Sequence, residues 1–269
     1  MTIAELHGKL SPKRAGGFYE RMEDLLTSDV FGTMKYAGWE HGFLEWLKSA
    51  REPWGKCVNA SLVLPNNDDI LYAEYFFWPT LKNGRKPDLL IGFHQKDGRV
   101  ALVIVEAKYL SGPSNIEMES EFTTAGVTGD QIADQVNGFP DTLDKNRHAV
   151  ISNRIHIYLT AHHTCPMDTY LDSSKRIERD DVRCFWLNWQ TLTALLEKEL
   201  MRVGGRTKLL LQDLLDLLKR KDLVQFRGFR VTDFEFKMEY PERGFWKERW
   251  WQLKSIPDFD EMRGFWRKR

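Results

Sequence analysis

The stretch from Lys86 to Leu110 reads KPDLLIGFHQKDGRVALVIVEAKYL and holds two apolar runs separated by a short polar segment. The polar segment contains Asp97 and Gly98, which are typical of a tight turn, so the stretch predicts a β-hairpin. The second run is apolar on both faces from Ala101 to Val105, as expected of a strand that is covered on both sides. We therefore expect this hairpin to form the middle of a sheet.

Helices and further strands are predicted on either side of the hairpin. Apolar residues at helical spacing predict helices in five segments: residues 16–36, 39–50, 130–143, 190–202 and 207–223. Thr207 is the expected N-cap of the last of these helices. Aromatic and β-branched runs predict three further strands: residues 70–79, 154–161 and 182–189. This order favours an α/β fold with a mixed central sheet flanked by helices.

Composition limits the class of protein. The chain has 269 residues, 42% of them apolar and 29% charged, which is typical of a globular protein with one main core. Lys and Arg number 39, as do Asp and Glu, so any nucleic acid must be bound by a local basic surface. Three widely spaced cysteines suggest neither disulfides nor a zinc site. Because no apolar run of about 18 residues occurs, we expect a cytoplasmic protein without a membrane partner.

The C-terminal part differs in texture from the rest of the chain. Residues 1–224 are expected to form the main domain with its C-terminal helices, and residues 225–269 an aromatic and basic appendage. Arginines in the appendage stand beside aromatic residues, as in RGFW at Arg243–Trp246 and again at Arg263–Trp266. Such residues could stack on bases and bind phosphates, or they could pack on the core. The sequence leaves both interpretations open.

The ends of the predicted hairpin carry acidic and basic side chains. Asp88 begins the first strand and Glu106 and Lys108 end the second, so the hairpin brings them together. Glu106 and Lys108 are two residues apart and point to the same face. Carboxylates, with the Ala107 carbonyl beside them, are the oxygen ligands that Mg2+ prefers, and Mg2+ supports phosphodiester hydrolysis. Lys108 could activate a water or stabilise developing charge.

The motif KPDLLIGF followed by LVIVEAK resembles the signature of the PD-(D/E)xK nuclease superfamily, here with glutamate as the second acid. The resemblance extends from Phe18 to about Glu199. It implies a restriction-endonuclease-like, three-layer α/β core and Mg2+-dependent hydrolysis of phosphodiester bonds, with Mn2+ as a substitute metal. Without that resemblance, the same residues would also fit a surface hairpin whose ends form salt bridges.

Two further site residues are implied by the same resemblance. The segment EDLLTSDVFGTMKY is similar to the first helix of several groups in the superfamily, where a glutamate completes the metal site; Glu23 is the matching residue. Other acidic residues could fill that role instead: Asp24, Glu40, Glu45 and Glu74. The helix beginning DQIADQV resembles one that carries a glutamine, which makes Gln131 a contact to phosphate or to Lys108. Gln135, one turn on, is the alternative.

The expected function is therefore a metal-dependent nuclease in prokaryotic defence, restriction or DNA processing. Its expected partner is nucleic acid, DNA before RNA, and it could act as a homodimer or within a larger defence complex. The alternative is a catalytically silent subunit that binds nucleic acid or assembles with other proteins on a nuclease-like fold. His162, His163 and Cys165 are metal-capable, but adjacent histidines on a strand point in opposite directions, so a strand end or turn is expected there.

Overall fold

The structure of the chain is a computed structural model, which describes residues 18–53, 58–109, 128–142 and 149–225. Apart from Gln225, the predicted appendage lies outside the described residues, and so does Cys57. Within the described part, no helix combines the length and the hydrophobicity needed to cross a membrane.

Five strands form one sheet in the order β1-β2-β3-β4-β5. Their bounds are β1 Ile70–Phe77, β2 Leu89–Gln95, β3 Arg99–Ala107, β4 Val150–Thr160 and β5 Val182–Asn188. The first three strands are antiparallel, whereas β4 pairs in parallel with both β3 and β5. The sheet is thus mixed, and β3 is its central strand, as the sequence predicts.

Six helices with α-geometry accompany the sheet in the described residues. They are α1 Phe18–Ala37, α2 Phe43–Lys48, α3 Gln131–Asn137, α4 Met167–Ser174, α5 Gln190–Glu199 and α6 Gly205–Arg220. Short 3-10 turns cover Ala60–Leu62 and Asn67–Asp69. The helix α4 is absent from the sequence-based assignment, because its short stretch MDTYLDSS has no long apolar period.

Alternate side chains of the strands build two hydrophobic cores. Ile91 and Val103 belong to the core that also holds apolar residues of α1, α2, α5 and α6. Leu90 and Ile104 belong to the second core, with residues of α3 and α4. Helices therefore flank both faces of the sheet, which is compatible with a three-layer core.

Several predicted helix boundaries differ from the structure by two residues or more, and two of the differences have a local cause. The helix predicted over residues 130–143 ends at Asn137, with Gly138 as its C-cap. Pro140 explains the early end, because proline cannot donate an amide hydrogen and disfavours helical backbone in the preceding residue. Thr207 is not an N-cap: Gly204 holds that position, and Gly205 has a φ of 58°, which a glycine adopts easily.

The turn that joins β2 to β3 follows the prediction. The amide of Gly98 donates to the carbonyl of Gln95 at 3.0 Å, and Gly98 has a φ of 84°. Glycine carries no steric penalty in this left-handed region, so the turn can close without strain. The turn fixes the register that places Leu89 opposite Val105 and thus Asp88 near the end of β3.

Candidate functional site

The predicted residues Asp88, Glu106 and Lys108 lie together at the end of the β2–β3 hairpin. Their exposed fractions are 7%, 2% and 6%. A salt-bridged hairpin end on the surface would expose these side chains to water, so that interpretation is excluded. The hairpin carries charged groups into the protein interior, where each requires compensating partners.

Asp88 is held by two neutral donors. The indole Nε1 of Trp78 donates to its Oδ1 at 3.1 Å, and the backbone amide of Ala107 donates to its Oδ2 at 2.8 Å. No cationic side chain in the described residues lies within salt-bridge distance of Asp88. Burial and the neighbouring charge of Glu106 raise the pKa of Asp88 well above its ordinary range.

Glu106 is held by two glutamines and a lysine. Nε2 of Gln131 donates to its Oε1 at 2.6 Å, and Nε2 of Gln135 donates to its Oε2 at 2.6 Å. Nζ of Lys108 lies 2.9 Å from Oε1 of Glu106. The two glutamines are four residues apart on α3 and so share one helix face. Gln131 contacts Glu106 here, and both candidate glutamines reach the site.

Glu23 reaches the same site from α1. Its Oε1 accepts from Nζ of Lys108 at 3.0 Å, and its Oε2 accepts from the backbone amide of Tyr109 at 3.1 Å. The side chain is 9% exposed. Glu23 therefore contacts the site through the lysine and the end of the strand that carries it.

Two of the alternatives to Glu23 have partners elsewhere. Glu45 pairs with Lys48 at the surface, at 3.0 Å, and Glu74 lies 2.8 Å from His94. Glu40 is exposed and lies 4.0 Å from His41. Glu23, by contrast, accepts a hydrogen bond from Lys108 itself.

Lys108 is positioned by its backbone as well as its side chain. Its amide donates to the carbonyl of Leu159 at 2.7 Å, and its carbonyl accepts from Nε1 of Trp189 at 3.0 Å. Burial acts to lower the pKa of Lys108, but the attraction of Glu106, Glu23 and Asp88 outweighs it and raises the pKa above its ordinary value. The ammonium is therefore charged at neutral pH.

Two residues at the site have no motif in the sequence that identifies them: Trp78, which donates to Asp88, and His156, whose Nε2 lies 2.9 Å from Oε1 of Gln135. Trp78 directly follows β1 and has a φ of 47°, a left-handed conformation that is uncommon for a bulky residue. The same residue, Trp78, donates its indole N–H to Asp88. The dipeptide Trp78-Pro79 is a signal for the end of a strand, but it does not reveal the contact.

His162 and His163 lie in a loop after β4 and are exposed, as the predicted strand end requires. Cys165 and Cys184 are free thiols. In the part of the chain that the structure describes, no group of three or more His, Cys, Asp or Glu side chains is arranged to hold a metal.

Comparison with known proteins gives no match to a protein-family model, to a curated protein or to a solved structure.

Proposed function

We propose that this protein is a Mg2+-dependent nuclease that hydrolyses phosphodiester bonds of DNA. The observation that carries the proposal is the buried cluster of Asp88, Glu106 and Lys108, joined by Glu23, at one end of the sheet. Buried charged groups are costly to the fold, and clusters with perturbed pKa values are concentrated at functional sites.

The donors of the site fit a divalent metal. Asp88 is buried beside Glu106 and its described partners are neutral N–H groups, so an ionised Asp88 would lack a direct counter-ion there. A hard cation with oxygen ligands would relieve the repulsion between the two carboxylates. We propose Asp88, Glu106 and the Ala107 carbonyl as ligands, with Glu23 as a further ligand. A bound Mg2+ or Mn2+ would neutralise phosphate charge and lower the pKa of a water.

The protein's own residues have distinct roles in this proposal. Lys108, charged and held between Glu23 and Glu106, stabilises negative charge at the scissile phosphate rather than removing a proton from water. Gln131 and Gln135 hold the carboxylate of Glu106 in one orientation. Trp78 holds Asp88 and excludes water from one of its oxygens.

The topology supports a restriction-endonuclease-like fold for this site. In this sheet of three antiparallel strands followed by two parallel strands, Asp88 lies just before β2, and Glu106 and Lys108 lie at the end of the neighbouring strand β3. We extend the proposal to a role in prokaryotic defence, restriction or DNA processing, as a homodimer or in a larger complex. The support for that role is the resemblance of the motifs KPDLLIGF and LVIVEAK to the superfamily.

A second candidate function is a silent subunit that binds nucleic acid or assembles with other proteins. One observation favours it: three donors already surround the carboxylate of Glu106, namely Gln131, Gln135 and Lys108. These three donors compensate the charge of Glu106 without a cation.

A cleavage survey separates the two functions. Purified full-length protein is incubated with plasmid, linear duplex, single-stranded DNA and RNA, in EDTA, Mg2+ or Mn2+. The nuclease proposal predicts cleavage of a DNA substrate with Mg2+ or Mn2+ and none in EDTA. Binding of DNA without cleavage of any substrate, at metal concentrations up to about 10 mM, which exceeds ordinary affinities of such sites, would favour the silent subunit.

A further inference from the structure

His156 is a buried histidine on β4 that none of the proposed chemical steps uses. It is 0% exposed and lies opposite Ile104, while Tyr158, two residues on, lies opposite Glu106. Because side chains alternate along a strand, His156 and Glu106 are on the same face of the sheet. Its Nε2 lies 2.9 Å from Oε1 of Gln135, and its Nδ1 has no hydrogen-bond partner among the described residues.

The hydrogen bonds determine which ring nitrogen of His156 carries the hydrogen. An ionised Glu106 can only accept, so Gln135 must turn its amide nitrogen toward Oε2 of Glu106. The amide oxygen of Gln135 then faces His156, and a carbonyl oxygen also can only accept. The ring must therefore donate from Nε2, which leaves Nδ1 without a hydrogen. Burial lowers the pKa of His156 to about 3, which keeps the ring neutral.

The helix that carries Gln135 is itself fixed relative to the strand that carries Asp88. Asp134, 0% exposed, accepts from Nε of Arg85 at 2.9 Å and from Oγ1 of Thr128 at 2.9 Å. Arg85 lies in the loop just before Asp88. This contact, in which Asp134 is buried and Arg85 is partly buried, anchors α3 and thus the backbone of Gln135 to that loop.

We propose that His156 and Gln135 form a relay of two hydrogen bonds that positions Glu106, with His156 as the residue that fixes the orientation of the Gln135 amide. His156 does not touch the reacting atoms and is a positioning residue. Without its donor, the amide oxygen of Gln135 loses its buried partner, and Glu106 alone is left to hold the amide in this orientation. The inference rests on the proposed function at one point, the binding of a metal by Glu106.

The relay also distinguishes the two carboxylate oxygens of Glu106. Oε1 of Glu106 meets two donors, Gln131 and Lys108, whereas Oε2 meets one, Gln135. Each carboxylate oxygen has two acceptor positions. Among the described residues, Oε2 therefore still has one acceptor position open to a metal. It is also the oxygen that accepts from Gln135.

The test compares two substitutions of His156 with a matched control. His156→Met removes the donor at similar size, whereas His156→Gln retains a donor at the ε position. Ile157→Val, on the opposite face of the same strand, alters the core without touching the relay. Mn2+ affinity is measured by titration calorimetry, and kcat/KM is measured on the DNA substrate that the wild type cleaves.

We expect His156→Met to weaken Mn2+ binding and to lower kcat/KM by about 10-fold or more, the usual effect of removing a partner of a metal ligand. His156→Gln should retain most of both, and Ile157→Val should match the wild type. If folded His156→Met binds Mn2+ and cleaves as well as Ile157→Val, the relay is wrong.

A second measurement needs neither metal nor activity. Nitrogen-15 shifts of the histidine rings in metal-free wild type, with the His156 signals assigned by their loss in His156→Gln, report which nitrogen is protonated. The relay requires hydrogen on Nε2 and none on Nδ1; the opposite tautomer, or a doubly protonated ring at neutral pH, overturns it. If the wild type neither binds Mn2+ nor cleaves, the proposed function fails and this tautomer alone decides the relay.

Discussion

Nζ of Lys108 lies 2.9 Å from Oε1 of Glu106, its neighbour on the same face of β3. An ammonium this close to a buried carboxylate is held in its charged form, and burial alone does not reverse this. The lysine of this site is therefore equipped to supply positive charge. Of the two roles that the sequence leaves open for Lys108, this relationship favours the one that we propose, charge stabilisation.

Substitution of Lys108 tests that role. Lys108→Arg keeps a positive charge and cannot lose its proton, since the arginine pKa is above about 12. We expect Lys108→Arg to keep measurable Mg2+-dependent cleavage and Lys108→Met to lose about 100-fold or more in kcat/KM. Thermal melting confirms that both variants fold. A folded Lys108→Arg as inactive as Lys108→Met would instead indicate that Lys108 must lose a proton.

Glu23 is distinguished from the other acidic candidates by a matched pair of substitutions. The carboxylate of Glu23 accepts hydrogen bonds from Lys108 and from the Tyr109 amide. Glu23→Gln removes its negative charge, so Lys108 loses one of the two carboxylates that hold its ammonium group. We expect kcat/KM to fall by about 10-fold or more. Glu45→Gln, which alters an exposed pair with Lys48, should have no effect. Equal activity of the two variants would remove Glu23 from the site.

The sequence predicts the central part of this site because local geometry decides it. Glu106 and Lys108 share a face since they are two residues apart on a strand, and the Asp97-Gly98 turn brings Asp88 beside them. The run from Ala101 to Val105 is apolar on both faces, which likewise identifies β3 as the central strand. These features depend on a short stretch of chain and on the alternation of side chains along a strand.

The remaining contacts depend on tertiary packing. Gln135 and His156 meet because α3 crosses the face of β4, which no local pattern reveals. Trp78 reaches Asp88 from an unusual backbone conformation, which sequence propensities would count as improbable. The short helix α4 is not predicted for a related reason: short helices are stabilised by packing more than by periodicity.

Because the buried His156 ring is neutral, we expect the free energy of unfolding to depend on pH. Its pKa is lowered from 6.5 to about 3 in the folded protein. On acidification below pH 6.5 the unfolded chain binds a proton that the folded protein does not, so the free energy of unfolding falls. This contribution amounts to about 2 kcal/mol between pH 7.5 and pH 5. It should disappear in His156→Gln.

Urea unfolding of wild type and His156→Gln across that pH range measures the difference directly, because the other histidines contribute equally to both proteins. The wild type should lose more stability on acidification than the variant. Parallel pH dependences of the two proteins would show that His156 is not a buried neutral ring.

Metal binding should raise thermal stability through Asp88. A cation that binds only the folded state stabilises it by about 2.7 kcal/mol at one hundred times its Kd. We expect Mn2+ to raise the melting midpoint of wild type relative to EDTA, and to raise that of Asp88→Asn much less. Asp97→Asn, in the exposed turn of the same hairpin, is the control and should keep the full shift. An undiminished shift in Asp88→Asn would place the metal elsewhere.

The most direct test of the proposed nuclease is the rate of Mg2+-dependent DNA cleavage by wild type, Asp88→Asn and Asp97→Asn under single-turnover conditions. The two substitutions make the same chemical change, one in the buried site and one in the hairpin turn. We predict that Asp97→Asn cleaves at the wild-type rate and that Asp88→Asn is slower by about 100-fold or more. Cleavage by folded Asp88→Asn at the rate of Asp97→Asn would contradict the assignment of this cluster as a nuclease site.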